Sequence, residues 1–249
     1  MASKRVLQKI FNCIYVLVIL LSIMFTYQYI NLLHKKNLVY EKEQEEKSVI
    51  EISKEDEAKY DLNYFRNYYS NNDIIGSIKI NGTKIDNLIV KTTNNKYYLN
   101  HSLRKEYDER GSIFLDYRTN LNSKQLNIYG HNSNVYDLPF KELEKYLDKE
   151  FYNSHKYVEI WNGEETIYYE IFSVQIVTND YEHMNLFPSN LEPHLNKLNE
   201  SIYDTGVKAT IDDQILVLQT CSYNPKNSLI IVNSKKVKEG KWKWLKNMF

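Results

Sequence analysis

The chain has 249 residues and a formal net charge of zero, with 32 basic and 32 acidic side chains. This balance excludes the strongly basic footprint of a nucleic-acid-binding protein. If the first third of the chain is not globular, about 180 residues remain, which is enough for one domain with a hydrophobic core.

An apolar run without charged residues occupies positions 11–33. About twenty apolar residues are enough to cross a bilayer. Basic residues precede the run, and an acidic stretch follows it at 41–46. We therefore predict a cytoplasmic tail over residues 1–10, a single transmembrane anchor over residues 11–33 and an extracellular C-terminal domain. A cleaved signal peptide is the competing interpretation, but it requires a shorter apolar core and a small-x-small cleavage site.

Residues 34–70 form a charged segment without glycine or proline. Within it, Tyr60, Tyr64 and Tyr68 recur at helical spacing, which predicts a juxtamembrane helix from Lys54 through Tyr69. Two roles remain open for this segment. It is either a spacer above the membrane or a helix that packs on the domain and caps it.

From residue 71 onward the sequence changes to short β-strands separated by turns. Asn81-Gly82 and Asn162-Gly163 are dipeptides typical of hairpin turns. The predicted strands are Ile74–Ile80, Lys84–Val90, Tyr97–Leu99, Gly111–Asp116, Gln125–Tyr129, Tyr157–Trp161, Thr166–Thr178, Leu216–Cys221 and Leu229–Val232.

Two helical patterns interrupt these strands. One runs over Leu138–Tyr152, and the other starts in the capping box Ser189–Glu192 and continues to Ile202. Many short strands with two inserted helices predict a closed or nearly closed β-barrel over residues 71–249. The basic and aromatic tail at 241–246 is predicted to be a terminal strand or a frayed end, with a membrane-surface role as the alternative.

Two of the predicted strands deliver chemically useful side chains at their ends. The apolar run from Gln214 ends in Cys221, and the run from Gln125 ends in His131. A thiol nucleophile with an imidazole partner requires this pair of side chains on fixed backbones. The other cysteine, Cys13, lies in the apolar N-terminal run, so Cys221 is expected to be a lone thiol. Taken singly, Cys221 is more simply explained as a buried structural cysteine, and His131 as an ordinary turn histidine.

The remaining histidines have no comparable setting, and we interpret them as surface or core residues. They are His34, His101, His155, His183 and His194. No metal-ligand spacing occurs in the sequence, so neither a metal site nor a cofactor is predicted.

Several segments together resemble the class B sortases. They are IIGSIKINGTKIDNLIV (74–90), YYLN (97–100), GSIFLDYR (111–118), NIYGHN (127–132) and VLQTCSYN (217–224), in this order and spacing. The resemblance covers roughly residues 60–237. It implies a mainly β fold, namely a closed sortase-like barrel with N-terminal helices and a long helix before the cysteine-bearing strand.

The resemblance also implies a function. Sortases are membrane-anchored cysteine transpeptidases of Gram-positive cells, of the thiol-hydrolase type. Cys221 would attack a Thr–X bond in the C-terminal sorting signal of a surface protein and form a thioester. An amine from a peptidoglycan precursor or a pilin would resolve it. His131 would either favour the thiolate as a cation or supply the proton for the leaving amine.

The chain departs from the family at one position. The family places a catalytic arginine on the strand after the cysteine, and here the matching residue is Ser228 or Leu229, depending on a one-residue gap. Lys226 and Arg118 are weak substitutes for that arginine. Arg118 is more simply explained as a structural partner of Asp116, because most surface ion pairs are not catalytic. The sequence identifies no other substrate-binding residue.

Three hypotheses follow. The first is an active sortase with a substituted or shifted cation. The second is a catalytically weak protein of the sortase fold that binds sorting peptides or pilins. The third is a membrane-tethered cysteine peptidase that hydrolyses its substrate rather than transferring it. We favour the first, because Cys221 and His131 both keep their strand contexts.

Overall fold

The computed structural model describes residues 2–55, 61–178, 186 and 191–238. The predicted capping box at 189–192 lies largely outside these residues, and the tail at 241–246 lies wholly outside them. Within the described residues the chain divides into two compact units, 1–49 and 50–249.

The first unit contains the greater part of helix α1, which runs over Ala2–Glu55. Its segment Ile14–Asn37 has 24 residues and a mean hydropathy of 1.9, and none of it is buried by other parts of the chain. A helix of this length and apolarity is long enough to cross a membrane, either as an anchor or as a signal sequence.

Helix α2, Leu62–Tyr69, begins anew after an N-cap. The Asp61 side chain accepts a hydrogen bond from the Tyr64 N–H at 2.9 Å, which satisfies one of the free donors of the first turn. Tyr64 and Tyr68 stack on each other, as their spacing predicts, but the buried residues of α2 are Phe65 and Tyr69. Tyr60 lies outside the described residues.

Eight strands form a closed barrel in the order β1-β2-β3-β4-β7-β8-β6-β5, with β5 pairing back onto β1. The pairs β2–β3 and β4–β7 are parallel and the others are antiparallel. The predicted closed barrel is therefore confirmed. The strands are β1 (Ile74–Lys79), β2 (Asp86–Val90), β3 (Phe114–Leu115), β4 (Gln125–Tyr129), β5 (Tyr157–Trp161), β6 (Thr166–Thr178), β7 (Ile215–Ser222) and β8 (Ser228–Lys236).

Side chains alternate between two apolar clusters along β7 and β8. Leu216 and Leu218 point into the barrel interior, where they pack with inward-facing residues of the other strands. Ile215 and Val217 point outward and pack with Leu198 of helix α4, Leu191–Leu198. We call the side of the sheet that bears Ile215 and Val217 the outer face. This two-residue period decides which strand residues can reach a surface cleft.

Several predicted strands differ from the structure in type or extent. The strand predicted over Leu229–Val232 is longer, since β8 runs over Ser228–Lys236. Tyr97–Leu99 is a 3-10 helix rather than a strand. The Asn94 side chain accepts hydrogen bonds from the main-chain N–H groups of Lys96 and Tyr97, at 2.8 and 3.0 Å, and so starts a turn. The predicted strand Gly111–Asp116 is reduced to the two residues of β3.

The two inserted helices also differ from their predictions. The pattern over 138–152 is split into a 3-10 helix, Pro139–Leu147, and α3, Lys149–Ser154. Asp148 separates them, because its extended backbone ends the first helix and its side chain caps the second. Helix α4 ends at Leu198 rather than Ile202. At this end the Leu198 carbonyl accepts hydrogen bonds from the Ser173 hydroxyl and the Asn233 amide.

Candidate active site

Cys221 lies near the end of β7 and is exposed. It shares the parity of Ile215 and Val217 along the strand, so it belongs to the outer face rather than to the barrel interior. The thiol is therefore not sealed inside the barrel. Partial burial at this strand end nevertheless raises the pKa of the Cys221 thiol above its usual value. At neutral pH the thiol therefore needs a proton acceptor before it can act as a nucleophile.

His131 lies two residues after the end of β4, the strand next to β7. The parallel register ends at Tyr129 opposite Gln219. Beyond it the Asn132 side chain donates to the Cys221 carbonyl at 2.9 Å, which keeps the two segments side by side. Leu126 and Ile128 of β4 point into the interior. Tyr129, the last residue of β4, has the opposite parity and lies on the outer face, as Cys221 does. The structure thus brings the two candidate residues to neighbouring strand ends.

The His131 ring is held by the backbone. Its Nε2 lies 2.6 Å from the carbonyl oxygen of Leu99, at the end of the 3-10 helix Tyr97–Leu99. Carbonyls at a helix end lack intrahelical partners and are free to accept such a bond. When the ring is neutral, this bond places the proton on Nε2 and leaves Nδ1 as the basic nitrogen.

The pairing of β7 with β8 distinguishes the two candidates for the arginine position. Cys221 lies opposite Leu229, and Ser222 lies opposite Ser228. Directly paired residues share a face, so Leu229 is the residue beside Cys221 on the outer face. Leu229 is only 5% exposed and packs with the outer apolar cluster. An apolar side chain therefore occupies the position where the family resemblance places a cation.

The two substitute cations differ in their surroundings. Lys226 is exposed in the turn between β7 and β8. Arg118 is engaged by Asp116 through two hydrogen bonds, of 2.9 Å from Nε and 2.7 Å from an Nη nitrogen. This bidentate geometry supports the structural interpretation of Arg118.

Asp116 is the centre of a buried polar cluster. Besides Arg118, it accepts hydrogen bonds from the Tyr129 hydroxyl at 2.8 Å and the Asn95 amide at 2.9 Å. Burial by itself raises the pKa of Asp116, but the hydrogen bonds from Arg118, Tyr129 and Asn95 outweigh it and lower the pKa to about 2. Tyr129 is the last residue of β4 and comes two residues before His131. Its hydrogen bond to Asp116 therefore fixes the end of β4 near His131.

Two contacts of the site were not predicted from the sequence. The Leu99 carbonyl holds His131, although its segment was predicted to be a strand. The Asn132 side chain donates to the carbonyl of Cys221 at 2.9 Å, although Asn132 was noted only as a flanking residue. The turn before Leu99 could have been predicted from Asn94, because asparagine side chains often accept hydrogen bonds from nearby main-chain N–H groups.

The other histidines take no part in this arrangement within the described part of the chain. His101 and His155 each place Nδ1 2.8 Å from a main-chain carbonyl four residues earlier. His194 is buried, His34 is exposed on α1, and His183 is outside the described residues. Among the residues that the structure describes, no group of three or more His, Cys, Asp or Glu side chains is placed to hold a metal ion.

Similarity to known proteins identifies the family of the chain. The family model for the sortase domain matches residues 78–237. The chain belongs to the sortase family. It is 37% identical to sortase B of Listeria monocytogenes over 158 residues, which is 61% of this chain and 63% of that protein. It is 31% identical to sortase B of Staphylococcus aureus over 176 residues, 68% of this chain and 72% of that protein.

Solved structures agree with this assignment. The structure of a Staphylococcus aureus sortase B–substrate complex superposes with a TM-score of 0.68 at 25% identity, covering 83% of this chain and 97% of that one. The resemblance to class B sortases is confirmed. The match to the Listeria protein spans slightly less than two thirds of its length.

Proposed function

We propose that this sortase-family protein is a transpeptidase that uses Cys221 as its nucleophile and His131 as its acid–base residue. The hydrogen bond from the Asn132 amide to the Cys221 carbonyl, at 2.9 Å, carries the proposal, because it joins the segment that bears His131 to the strand end that bears Cys221. The exposure of Cys221 supports it further, since a peptide carbonyl can approach the sulfur from solvent.

The proposed reaction has two half-reactions. The Cys221 thiol gives its proton to His131, and the sulfur attacks the carbonyl carbon of the Thr–X bond in a sorting signal. The C–N bond breaks, the leaving amine takes the proton from His131, and a thioester remains. An acceptor amine then attacks the thioester carbonyl carbon, the C–S bond breaks, the proton of the amine passes through His131 to the sulfur, and a new amide bond forms.

The proposed partners follow from this chemistry. The acyl donor is a surface protein with a C-terminal sorting signal, and the acceptor is an amine of a peptidoglycan precursor or a pilin. We further propose that α1 anchors the protein in the cell membrane as a single pass, with residues 1–10 cytoplasmic and residues 71–249 extracellular. The segment at 34–70 would then lie between membrane and barrel.

A second candidate function is supported by Leu229. Since an apolar residue lies opposite Cys221, the site lacks the cation expected there. Loss of one oxyanion donor typically lowers the rate by about a hundredfold to a thousandfold. A sortase-fold protein that binds sorting peptides but acylates slowly is consistent with this feature.

The test measures the intact mass of the full chain in detergent micelles after incubation with a panel of sorting peptides. A thioester adduct is expected in wild type and in Cys13→Ser, and none in Cys221→Ala. His131→Ala should acylate far more slowly, whereas His155→Ala serves as a matched control because its ring also bonds a main-chain carbonyl.

Three results would separate the alternatives. Binding of a peptide without an adduct would replace the proposal with the binding function. An adduct that is hydrolysed at the same rate with or without added glycine oligomers or diaminopimelate peptides would identify a peptidase. Diversion of the adduct to an amide product by the added amine supports the transpeptidase.

A further inference from the structure

The main-chain pairing of β4 with β7 ends before the candidate residues. The register runs from Gln125 opposite Ile215 to Tyr129 opposite Gln219. One more main-chain bond follows, from the Gly130 N–H to the Gln219 carbonyl, at 3.2 Å. Beyond this point the parallel ladder does not hold the segment that carries His131.

Cys221, in contrast, is held on its other side. The antiparallel pairing of β7 with β8 continues through Cys221 opposite Leu229 to Ser222 opposite Ser228. The backbone of Cys221 is therefore fixed by β8. The main-chain pairing of β4 with β7 does not fix the position of His131 relative to the Cys221 sulfur.

Three side chains continue the pairing where the ladder stops. The Thr220 hydroxyl donates to the Gly130 carbonyl at 2.8 Å. The Tyr223 hydroxyl donates to the Asn132 carbonyl at 3.2 Å. In the opposite direction, the Asn132 amide donates to the Cys221 carbonyl at 2.9 Å. The carbonyls on either side of His131 are thus bonded by residues on either side of Cys221.

Asn132 contributes most to this arrangement. It is only 5% exposed, and its Nδ2 also donates to the Glu144 carboxylate at 2.6 Å, which ties the segment to the 3-10 helix Pro139–Leu147. Its buried Oδ1 has no hydrogen-bond partner among the residues that the structure describes. An unsatisfied buried acceptor typically costs about 1–3 kcal/mol, so this side chain is oriented for its two donor contacts at some expense of stability.

We propose that Thr220, Asn132 and Tyr223 are positioning residues that together set the distance between His131 and Cys221. The three are called the strand-end clamp. The expected effect on kcat rests on the proposed function. The expected position of His131 relative to Cys221 does not, because it can be tested without a peptide substrate. Misplacement of a reacting group by about 1 Å can cost about a hundredfold in rate, so the clamp acts on turnover rather than on binding.

The experiment uses the full chain in detergent micelles, in a Cys13→Ser background so that Cys221 is the reporting thiol. Thr220→Val and Tyr223→Phe remove a hydroxyl at nearly constant shape, and Asn132→Ala removes the amide. Thr220→Ser keeps the hydroxyl and should restore wild-type behaviour. Ser234→Ala is the control, because it removes a buried hydroxyl bond to the Leu216 carbonyl of β7, away from the site.

Two measurements are made on each variant. The first is the rate of iodoacetamide alkylation of Cys221 against pH, which is compared with the profile of His131→Ala. The second is kcat and KM for acylation by a sorting peptide. Clamp variants should shift the alkylation profile toward that of His131→Ala and lower kcat by about tenfold to a hundredfold, with KM within about twofold.

The outcomes separate this proposal from the proposed function. If no peptide acylates Cys221 but the alkylation profiles shift as expected, the clamp stands and the transpeptidase assignment fails. The clamp is refuted if its variants keep the wild-type profile and lose only stability, as Ser234→Ala does. It is equally refuted if wild type and His131→Ala already have the same profile, because no coupled pair would then exist to be positioned.

Discussion

Replacing Leu229 by arginine is expected to raise the reactivity of Cys221. Leu229 lies directly opposite Cys221 in the β7–β8 pairing and on the same face. Partial burial raises the pKa of the Cys221 thiol. A guanidinium at position 229 would stabilise the thiolate and provide a donor for the oxyanion. The formation of the thiolate would then depend less on proton transfer to His131.

The magnitude follows from cross-strand geometry. Directly paired side chains have Cβ atoms about 5 Å apart. A unit charge at about 5 Å from a thiolate contributes about 1 kcal/mol in water and about 3 kcal/mol at an effective dielectric constant of 20. Since 1.4 kcal/mol corresponds to about tenfold, the thiolate population should rise between about fourfold and two-hundredfold. The exposure of Cys221 favours the lower part of that range, near tenfold.

The substitution also has a cost in stability. Leu229 is 5% exposed and packs in the outer apolar cluster with Val217 and Ile231. The arginine stem can replace part of that packing while its head reaches solvent past Cys221. We expect a loss of about 2–4 kcal/mol, which a domain of ordinary stability survives.

The assay is the alkylation rate of Cys221 at pH 7, followed by acylation with a sorting peptide. Ser228→Arg is the matched control, because Ser228 pairs with Ser222 and faces the other side of the sheet. Leu229→Lys should give a smaller gain, since a lysine lacks the bidentate fork. The reasoning is refuted if Ser228→Arg accelerates alkylation as much as a folded Leu229→Arg does, or if neither Leu229 variant accelerates it.

Three further predictions concern the support of the site and the anchor. Because folding lowers the pKa of Asp116 from 3.8 to about 2, its stabilisation is present at neutral pH and is lost as the pH falls from about 5 toward about 2. Asp116→Asn should therefore lower the free energy of unfolding at pH 7 by about 2 kcal/mol and flatten its dependence on pH in denaturant titrations. Gly130→Ala should lower both the melting temperature and the acylation rate, because a Cβ there would lie 2.5 Å from Cγ of Phe140, and Phe140→Leu should partly restore both. The mature protein should fractionate with membranes and keep residues 1–33 by intact mass, whereas a mass lacking them would identify a cleaved signal sequence.

Much of the barrel was predictable because its strands are strongly patterned. Thr166–Thr178 was predicted with the bounds of β6, since it is rich in β-branched and aromatic residues and contains no Gly, Pro, Asn or Asp. The face of Cys221 could not be predicted from alternation along β7, because Ile215–Leu218 are all apolar and all buried. Local pattern was insufficient at Tyr97–Leu99, where the Asn94 side chain competes with strand pairing for main-chain N–H groups.

The contacts that complete the site depend on long-range register, which a local pattern does not contain. Whether Ser228 or Leu229 faces Cys221 is decided by the turn between β7 and β8, because a slip of one residue exchanges the two faces. The bond between Asn132 and the Cys221 carbonyl joins residues 89 positions apart and exists only in the parallel register of β4 and β7. The contact between His131 and Leu99 uses a main-chain carbonyl, which every residue has, so the sequence does not indicate it.

The position of the site on the outer face has a physical reason. The interior of an eight-stranded barrel is filled by side chains, so an inward thiol would be inaccessible to a peptide. The outer face is itself covered by α4 around Val217 and Leu198, and along β7 it is exposed at Cys221. Cys221 and His131 lie at this transition, where the strands still fix their backbones through β8 and the strand-end clamp. A cysteine two residues earlier on the same face would be at position 219, opposite Tyr129, within the ladder rather than beyond it. The proposed chemistry therefore requires both the exposure of the strand end and the side-chain bonds that replace the missing ladder there.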